Sequence, residues 1–216
     1  MKMRFPIPPL LIIMINHNYP GKFIVIEGLD GSGKSSQVEL LVEWLKEQGK
    51  RELLTREPTM DSEAGRKIKK ALKKEIEVEP LELQKLYVQD RSDHLDGKVI
   101  PALQKGDWVV SSRYAFSTFA YGASAGLDMN VLIDLNKEFL LPDATVVVDV
   151  SPENCVKRIE GRGEEKEFFE QVEKLRKVNE VYKKLPGMFE NVHMVNGEQP
   201  METVFEEVKN IVKKLT

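Results

Sequence analysis

Gly28-Leu29-Asp30-Gly31-Ser32-Gly33-Lys34-Ser35 is the stretch on which the reading of this chain turns. It matches G-x-x-x-x-G-K-[ST] at every position. The apolar run Phe23-Ile24-Val25-Ile26 precedes it and reads as a buried strand. After it, Val38, Leu41, Val42 and Leu45 recur at helical spacing between Ser35 and Gln48, and Gly49 stands where a helix would stop. Glycines let such a loop curl until its N–H groups point at phosphate oxygens. The helix N-terminus that follows adds partial positive charge. Lys34 is then placed to reach β- and γ-phosphates, and the Ser35 hydroxyl to ligate Mg²⁺. Gly28 through Ser35 are accordingly the predicted ATP-binding residues.

Outward from the loop, apolar runs alternate with helical patterns. Glu52-Leu53-Leu54-Thr55, Trp108-Val109-Val110-Ser111, Thr145 to Val150 and Val192-His193-Met194-Val195 read as further strands. Pro80 to Lys105 reads mostly as helix with a bend at Pro101, and Met201 to Leu215 as a closing helix. Continuous rather than alternating apolar strands, separated by helices, imply an α/β fold: a five-stranded parallel sheet with helices on both faces. The 216 residues suit one domain over 22–216, preceded by an extension over 1–21. Three options are open for that extension: a short extra strand, a packing arm, or an upstream start codon.

The charge balance of 32 Lys+Arg against 35 Asp+Glu argues against a protein that coats nucleic acid. The best apolar run, residues 10–15, falls far short of the ~20 residues that span a bilayer. The single cysteine, Cys155, excludes an internal disulfide and fits a reducing compartment, hence a cytoplasmic location.

A phosphate loop alone serves motors, GTPases and kinases alike. The N-K-x-D guanine motif of GTPases is absent, and a helicase would need more chain, so a compact phosphoryl-transfer enzyme is favoured. Three further segments narrow the field: Thr55-Arg56-Glu57-Pro58-Thr59, Leu86-Tyr87-Val88-Gln89-Asp90-Arg91, and Ser112-Arg113-Tyr114-Ala115-Phe116-Ser117-Thr118-Phe119-Ala120-Tyr121. With the phosphate loop, in this order, they make the chain from about Lys22 onward resemble the thymidylate kinases, which have the P-loop NTPase fold.

That resemblance implies Mg²⁺-dependent transfer of the ATP γ-phosphate to dTMP, and a homodimer paired through helices beside the sheet. It also implies roles for individual residues. Arg56 approaches the acceptor nucleotide; a surface ion pair with Glu57 or Glu63 is the structural alternative. Tyr87 stacks on thymine, or is a core aromatic on an amphipathic helix. Arg91, one helical turn on, reaches the base, or pairs with Asp90 or Glu82. Arg113 contacts the acceptor phosphate. Thr118 lies at the thymine edge, and Tyr121 fills the space of a 2′-hydroxyl. Asp30 is linked to the sugar 3′-hydroxyl and the metal region, or is a turn residue. Two positions depart from the family pattern: Ser112 replaces an Asp that could anchor Mg²⁺, and Gly122 stands where Gln is common. Asp149 is another candidate carboxylate, read here as an ordinary strand-end residue.

A lid is expected at about 158–167, from Arg158-Ile159-Glu160-Gly161-Arg162-Gly163-Glu164-Glu165-Lys166. The phosphate loop lacks an arginine and the lid holds Arg162, so the chain resembles the subtype in which lid arginines assist transfer. Arg158 is placed against adenine, beside the loop Asn196-Gly197-Glu198-Gln199-Pro200. The expected catalytic set is Lys34, Asp30, Arg113 and Arg162. Two rival functions are a nucleotide kinase of altered acceptor choice and a P-loop switch with no small-molecule acceptor.

Overall fold

In the computed structural model of the protein, which describes residues 14–160 and 168–215, five strands form one all-parallel sheet. They are β1 (Lys22–Gly28), β2 (Glu52–Arg56), β3 (Trp108–Ser112), β4 (Ala144–Asp149) and β5 (Val192–Asn196), in the spatial order β2-β3-β1-β4-β5. Phe23 to Ile26 and Val146 to Val148 are buried because their strands are covered on both faces. On the edge strand β2 burial is incomplete, and Leu54 is exposed. The helix after the phosphate loop, α1 (Lys34–Glu47), buries Val38, Leu41 and Leu45 and packs against α9 (Met201–Val212). On the other face α5 (Ala115–Ser124) packs against α8 (Phe168–Tyr182).

The chain starts in the middle of the sheet, builds outward to β2 and β3, and returns to β4 and β5. The strand order therefore reverses at β1. A crevice opens at such a reversal, outside the carboxyl ends of the strands. Gly28, Arg56, Ser112 and Asp149 are the last residues of their strands and rim that crevice.

The long helix expected over Pro80 to Lys105 differs in one respect. It runs as α3 (Pro80–His94), a π-helical stretch over Leu95–Val99 and α4 (Ile100–Gln104). The irregularity precedes Pro101. A proline ring clashes with the carbonyl four residues back, here Gly97. Widening the turn, with Ile100 N–H donating to the Leu95 carbonyl, relieves that clash. The remaining helices are α2 (Glu63–Leu72), whose first turn is capped by Ser62 Oγ accepting from Gly65 N–H at 2.7 Å, α6 (Met129–Asn136) and α7 (Pro152–Glu160).

Of the N-terminal extension, residues 14–21 are described. Met14 is buried, and Ile15 forms a single parallel bridge with Leu140. Further on, Asp143 lies 3.1 Å from His17 Nε2, faces Lys22 Nζ at 3.3 Å and accepts from Phe23 N–H at 2.7 Å. Residues 14–21 thus form an arm packed against residues 139–143. No helix among the described residues is long and apolar enough to cross a membrane.

Gly122 has a packing reason to be glycine. A Cβ there would lie 2.8 Å from Leu132 Cδ2, so a longer side chain would have to push the Leu132 side chain aside. Gly122→Gln is expected to destabilise the protein by about 1–3 kcal/mol through overpacking. Thermal unfolding checks this, and Leu132→Ala in the same chain should recover part of the loss.

Candidate active site

The phosphate loop runs from the end of β1 to the head of α1. Gly28, Gly31 and Gly33 all have positive φ, at 145°, 84° and 89°. Two of them also lack room for a side chain: a Cβ on Gly28 would meet the Val148 carbonyl at 2.8 Å, and one on Gly31 the Cys155 carbonyl at 2.4 Å. Lys34 curls back over the loop. Its Nζ donates to the Leu29 carbonyl at 3.1 Å and to Asp30 Oδ1 at 3.3 Å. Ser35 is exposed at the first turn of α1.

Arg113 follows β3 directly. Its backbone is held at φ 73°, a strained region for arginine, with its N–H donating to the Ile26 carbonyl at 3.0 Å. This conformation aims the guanidinium across the end of β1. Nη2 donates to Asp30 Oδ1 at 2.6 Å and Nη1 to Ser117 Oγ at 2.9 Å, with the ring of Tyr121 5.2 Å from the guanidinium carbon. Asp30 Oδ1 thus receives Lys34 and Arg113 together. The Asp30 side chain is 62% exposed; such desolvation as it has would raise its carboxyl, but Arg113 and then Lys34 hold it below the usual carboxylate range. Lys34 moves down to about 8, first because it is buried and then because Arg113 repels it.

Tyr121 and Tyr87 face the same space. The Tyr121 hydroxyl is 3.5 Å from Asp30 Oδ2. Burial pushes both phenols up to about 12, and Arg113 and Asp30 act electrostatically on each. Arg91 approaches from α3 and is buried. Its Nε donates to Glu57 Oε2 at 2.9 Å and its Nη2 to Thr118 Oγ1 at 3.2 Å, while Nη1 donates to Asn136 Oδ1. The rings of Tyr114 and Phe139 lie 4.9 and 5.7 Å from its guanidinium carbon. The local alternatives for these arginines do not occur. Asp90 instead accepts from Thr59 and Ser62, and Glu82 pairs with Lys85. Glu57 turns inward to Arg91, Glu63 pairs with Lys67, and Arg56 is exposed at the rim.

Arg158, on α7, joins the donor side. Its two terminal nitrogens donate to the Ser32 and Gly197 carbonyls, each at 3.3 Å. The loop over 196–200 is pinned beside it by Glu198, which accepts from Ser151 N–H at 2.7 Å and Asn154 Nδ2 at 2.8 Å. Asp149 pairs with Lys183 at 3.5 Å, as a strand-end residue would. The expected lid arginine, Arg162, lies outside the described residues. Among those residues no group of three or more His, Cys, Asp or Glu could hold a metal ion. Ser35 and Asp30 are the oxygen donors at the phosphate loop, which suits Mg²⁺, an ion that keeps several waters and takes the rest of its shell from phosphates. Cys155 packs behind the loop, and burial raises its thiol to about 12, so it offers no thiolate.

Residue-by-residue sequence reading missed the groups that hold these arginines. Glu27, fully buried at the end of β1, accepts from Tyr114 N–H at 2.8 Å, Ser117 N–H at 3.0 Å, Ser117 Oγ at 2.6 Å and Tyr182 O–H at 2.9 Å. Burial raises its carboxyl, opposed by Arg113. A carboxylate closing an otherwise apolar strand was a visible signal. Glu57, Asn136 and His94 carried no such signal; His94 Nδ1 lies 3.1 Å from Glu57 Oε1 and its Nε2 2.6 Å from Thr55 Oγ1.

Comparison with known proteins identifies the family. The family model for thymidylate kinase matches residues 26–208. A probable thymidylate kinase from Pyrococcus horikoshii is 37% identical over 198 residues, covering 89% of this chain and 96% of its own. The thymidylate kinase of Carboxydothermus hydrogenoformans is 37% identical over 201 residues, covering 90% and 98%. That of Desulfotalea psychrophila is 32% identical over 199 residues, covering 92% and 97%. With a parallel sheet, a complete phosphate loop and an arginine cluster at its switch point, the chain is a phosphotransferase that belongs to the thymidylate kinase family.

Proposed function

We propose that this enzyme transfers the γ-phosphate of ATP to the phosphate of dTMP, giving ADP and dTDP. The observation that carries the reading is the meeting of Lys34 and Arg113 on one oxygen of Asp30. One cation belongs to a triphosphate-binding loop, the other to the end of the neighbouring strand. Two phosphates brought to these cations would lie side by side, the arrangement phosphoryl transfer needs. Tyr87, Tyr121, Thr118 and Arg91 lie on the Arg113 side and suit a nucleobase and deoxyribose: an aromatic platform, a ring against the sugar, and polar donors and acceptors at the base edge. Arg56 at the rim suits the acceptor phosphate. Arg158, bridging the phosphate loop and the 196–200 loop, suits the donor side.

In this reading Lys34 and Arg113 neutralise charge as it spreads over the transferring phosphoryl group. Asp30 keeps the two cations together and faces the acceptor sugar. Mg²⁺ would be held through Ser35 and the nucleotide phosphates and would supply further charge neutralisation there; Ser112 cannot offer it a carboxylate. Arg162 of the lid adds positive charge on closure and helps exclude water. The active form is a cytoplasmic homodimer, supported by the buried lone cysteine and by half-buried Leu81, Leu83 and Leu86 on α3. The domain is taken as 22–216.

A coupled ADP-release assay with Mg·ATP and dTMP, dUMP, UMP, CMP, GMP or AMP should give turnover with dTMP well above the others. ADP release that is independent of any acceptor would favour the switch reading. Arg113→Ala should lower kcat/KM for dTMP about 10²–10³-fold with little change in the ATP KM; an unchanged dTMP response would overturn the acceptor-site assignment. A third test uses Lys34. Bound polyphosphate restores its charge, so its lowered value of about 8 rises on binding. ATP binding at pH 8 should then take up about half a proton, falling towards none at pH 6.5, as calorimetry in buffers of different ionisation heat would register.

A further inference from the structure

The N-terminal arm lies outside residues 26–208, the part matched by the family model, and no role described so far uses it. Its contacts are specific. Ile15 N–H donates to the Phe139 carbonyl at 2.8 Å, and Leu141 N–H donates back to the Ile15 carbonyl at 2.8 Å. Met14 is buried in the core beside this bridge, whereas the Ile15 side chain is 41% exposed. The arm therefore grips the 139–141 backbone and contributes little through the side chain of Ile15.

The gripped segment carries part of the cage around Arg91. Phe139 lies over the guanidinium, and Asn136, which accepts from Arg91, is joined to Phe139 in a single turn by Phe139 N–H donating to the Asn136 carbonyl at 3.1 Å. That turn ends α6. Two of the groups surrounding Arg91 thus hang on a turn whose far side is tied down by the arm.

We propose that the arm is a positioning element for Arg91, acting through the Ile15 bridge to Phe139, and so tunes binding of the acceptor base. This inference rests on the placing of Arg91 on the acceptor-base side. The coupling is backbone to backbone, then ring to cation. A small displacement of Phe139 releases the guanidinium from one wall of its cage, and a loose guanidinium contacts a planar base less well. The effect should fall on the acceptor and spare ATP, whose loop lies on the other side of Asp30.

The test is steady-state kinetics on four variants of the full chain. Ile15→Pro removes the donor to Phe139 and leaves the core residue Met14 in place. Phe139→Leu removes the ring but keeps an apolar side chain, and serves if the proline variant folds poorly. Ile15→Ala keeps both backbone bonds. Arg91→Lys tests the underlying reading. The expected result is a dTMP KM raised about threefold to tenfold in Ile15→Pro and Phe139→Leu, with the ATP KM within about twofold of wild type and Ile15→Ala unchanged. Equal rises in both KM values, or an unchanged dTMP KM despite a lower Tm, would reduce the arm to general stabilisation and overturn the inference. If Arg91→Lys raises the dTMP KM while the arm variants do not, the arm inference alone fails. If Arg91→Lys leaves it untouched, the placing of Arg91 fails and the inference with it.

Discussion

Two cations on one carboxylate oxygen form the interaction around which this site is organised. Lys34 and Arg113 would repel each other at this separation, and burial raises the cost of holding either charge. Asp30 offsets both effects and is itself drawn below the carboxylate range by them. The three residues come from two different chain segments, and they meet only because β1 and β3 are neighbours in register, with Ile26 opposite Ser112. The phosphate loop then begins just after β1 ends, and Arg113 just after β3.

Arginines are useful here only if they are held. Arg113 and Arg91 each have a buried glutamate arrangement. Glu27, at the end of β1, accepts four hydrogen bonds and fixes Ser117 and Tyr182, both of which touch Arg113. Glu57, after β2, binds Arg91 directly and contacts His94. Buried carboxylates of this kind add little net stability, since desolvation opposes the attraction. Their effect is positional: they restrict guanidinium groups that would otherwise sample many rotamers. The strained backbone at Arg113 acts in the same direction, because φ 73° points the side chain across β1 rather than outward.

The two departures from the family pattern have different characters. Leu132 of α6 packs directly against Gly122, so a longer side chain there would have to displace it. Ser112 offers no carboxylate at the rim of the crevice, and beside the phosphate loop the Asp30 carboxylate is already shared between two cations.

The phosphate loop, the parallel sheet and the family were legible in the sequence because each rests on local chemistry. Positive φ demands glycine at fixed offsets, strands buried on both faces must be apolar throughout, and four motifs keep their order along the chain. The five strands and α1 begin and end within two residues of the sequence reading, the closing helix ends its α-helical part at Val212 rather than Leu215, and the bend expected at Pro101 lies before it, where the helix widens to clear the ring; α2 and α5 to α8 have no bounds in the sequence reading. The partners of the site arginines were not legible. Arg91 had Asp90 as its neighbour in sequence and pairs instead with Glu57, 34 residues away, and with Asn136, 45 residues away. Those pairings depend on how α3, α6 and the end of β2 pack, and charge type alone does not select among so many carboxylates. The sequence by itself determined which residues could bind phosphate and where the chain must turn to let them. Only the tertiary structure decided which buried acid holds which arginine, because that choice is made by burial and distance, which arise when the helices close over the sheet.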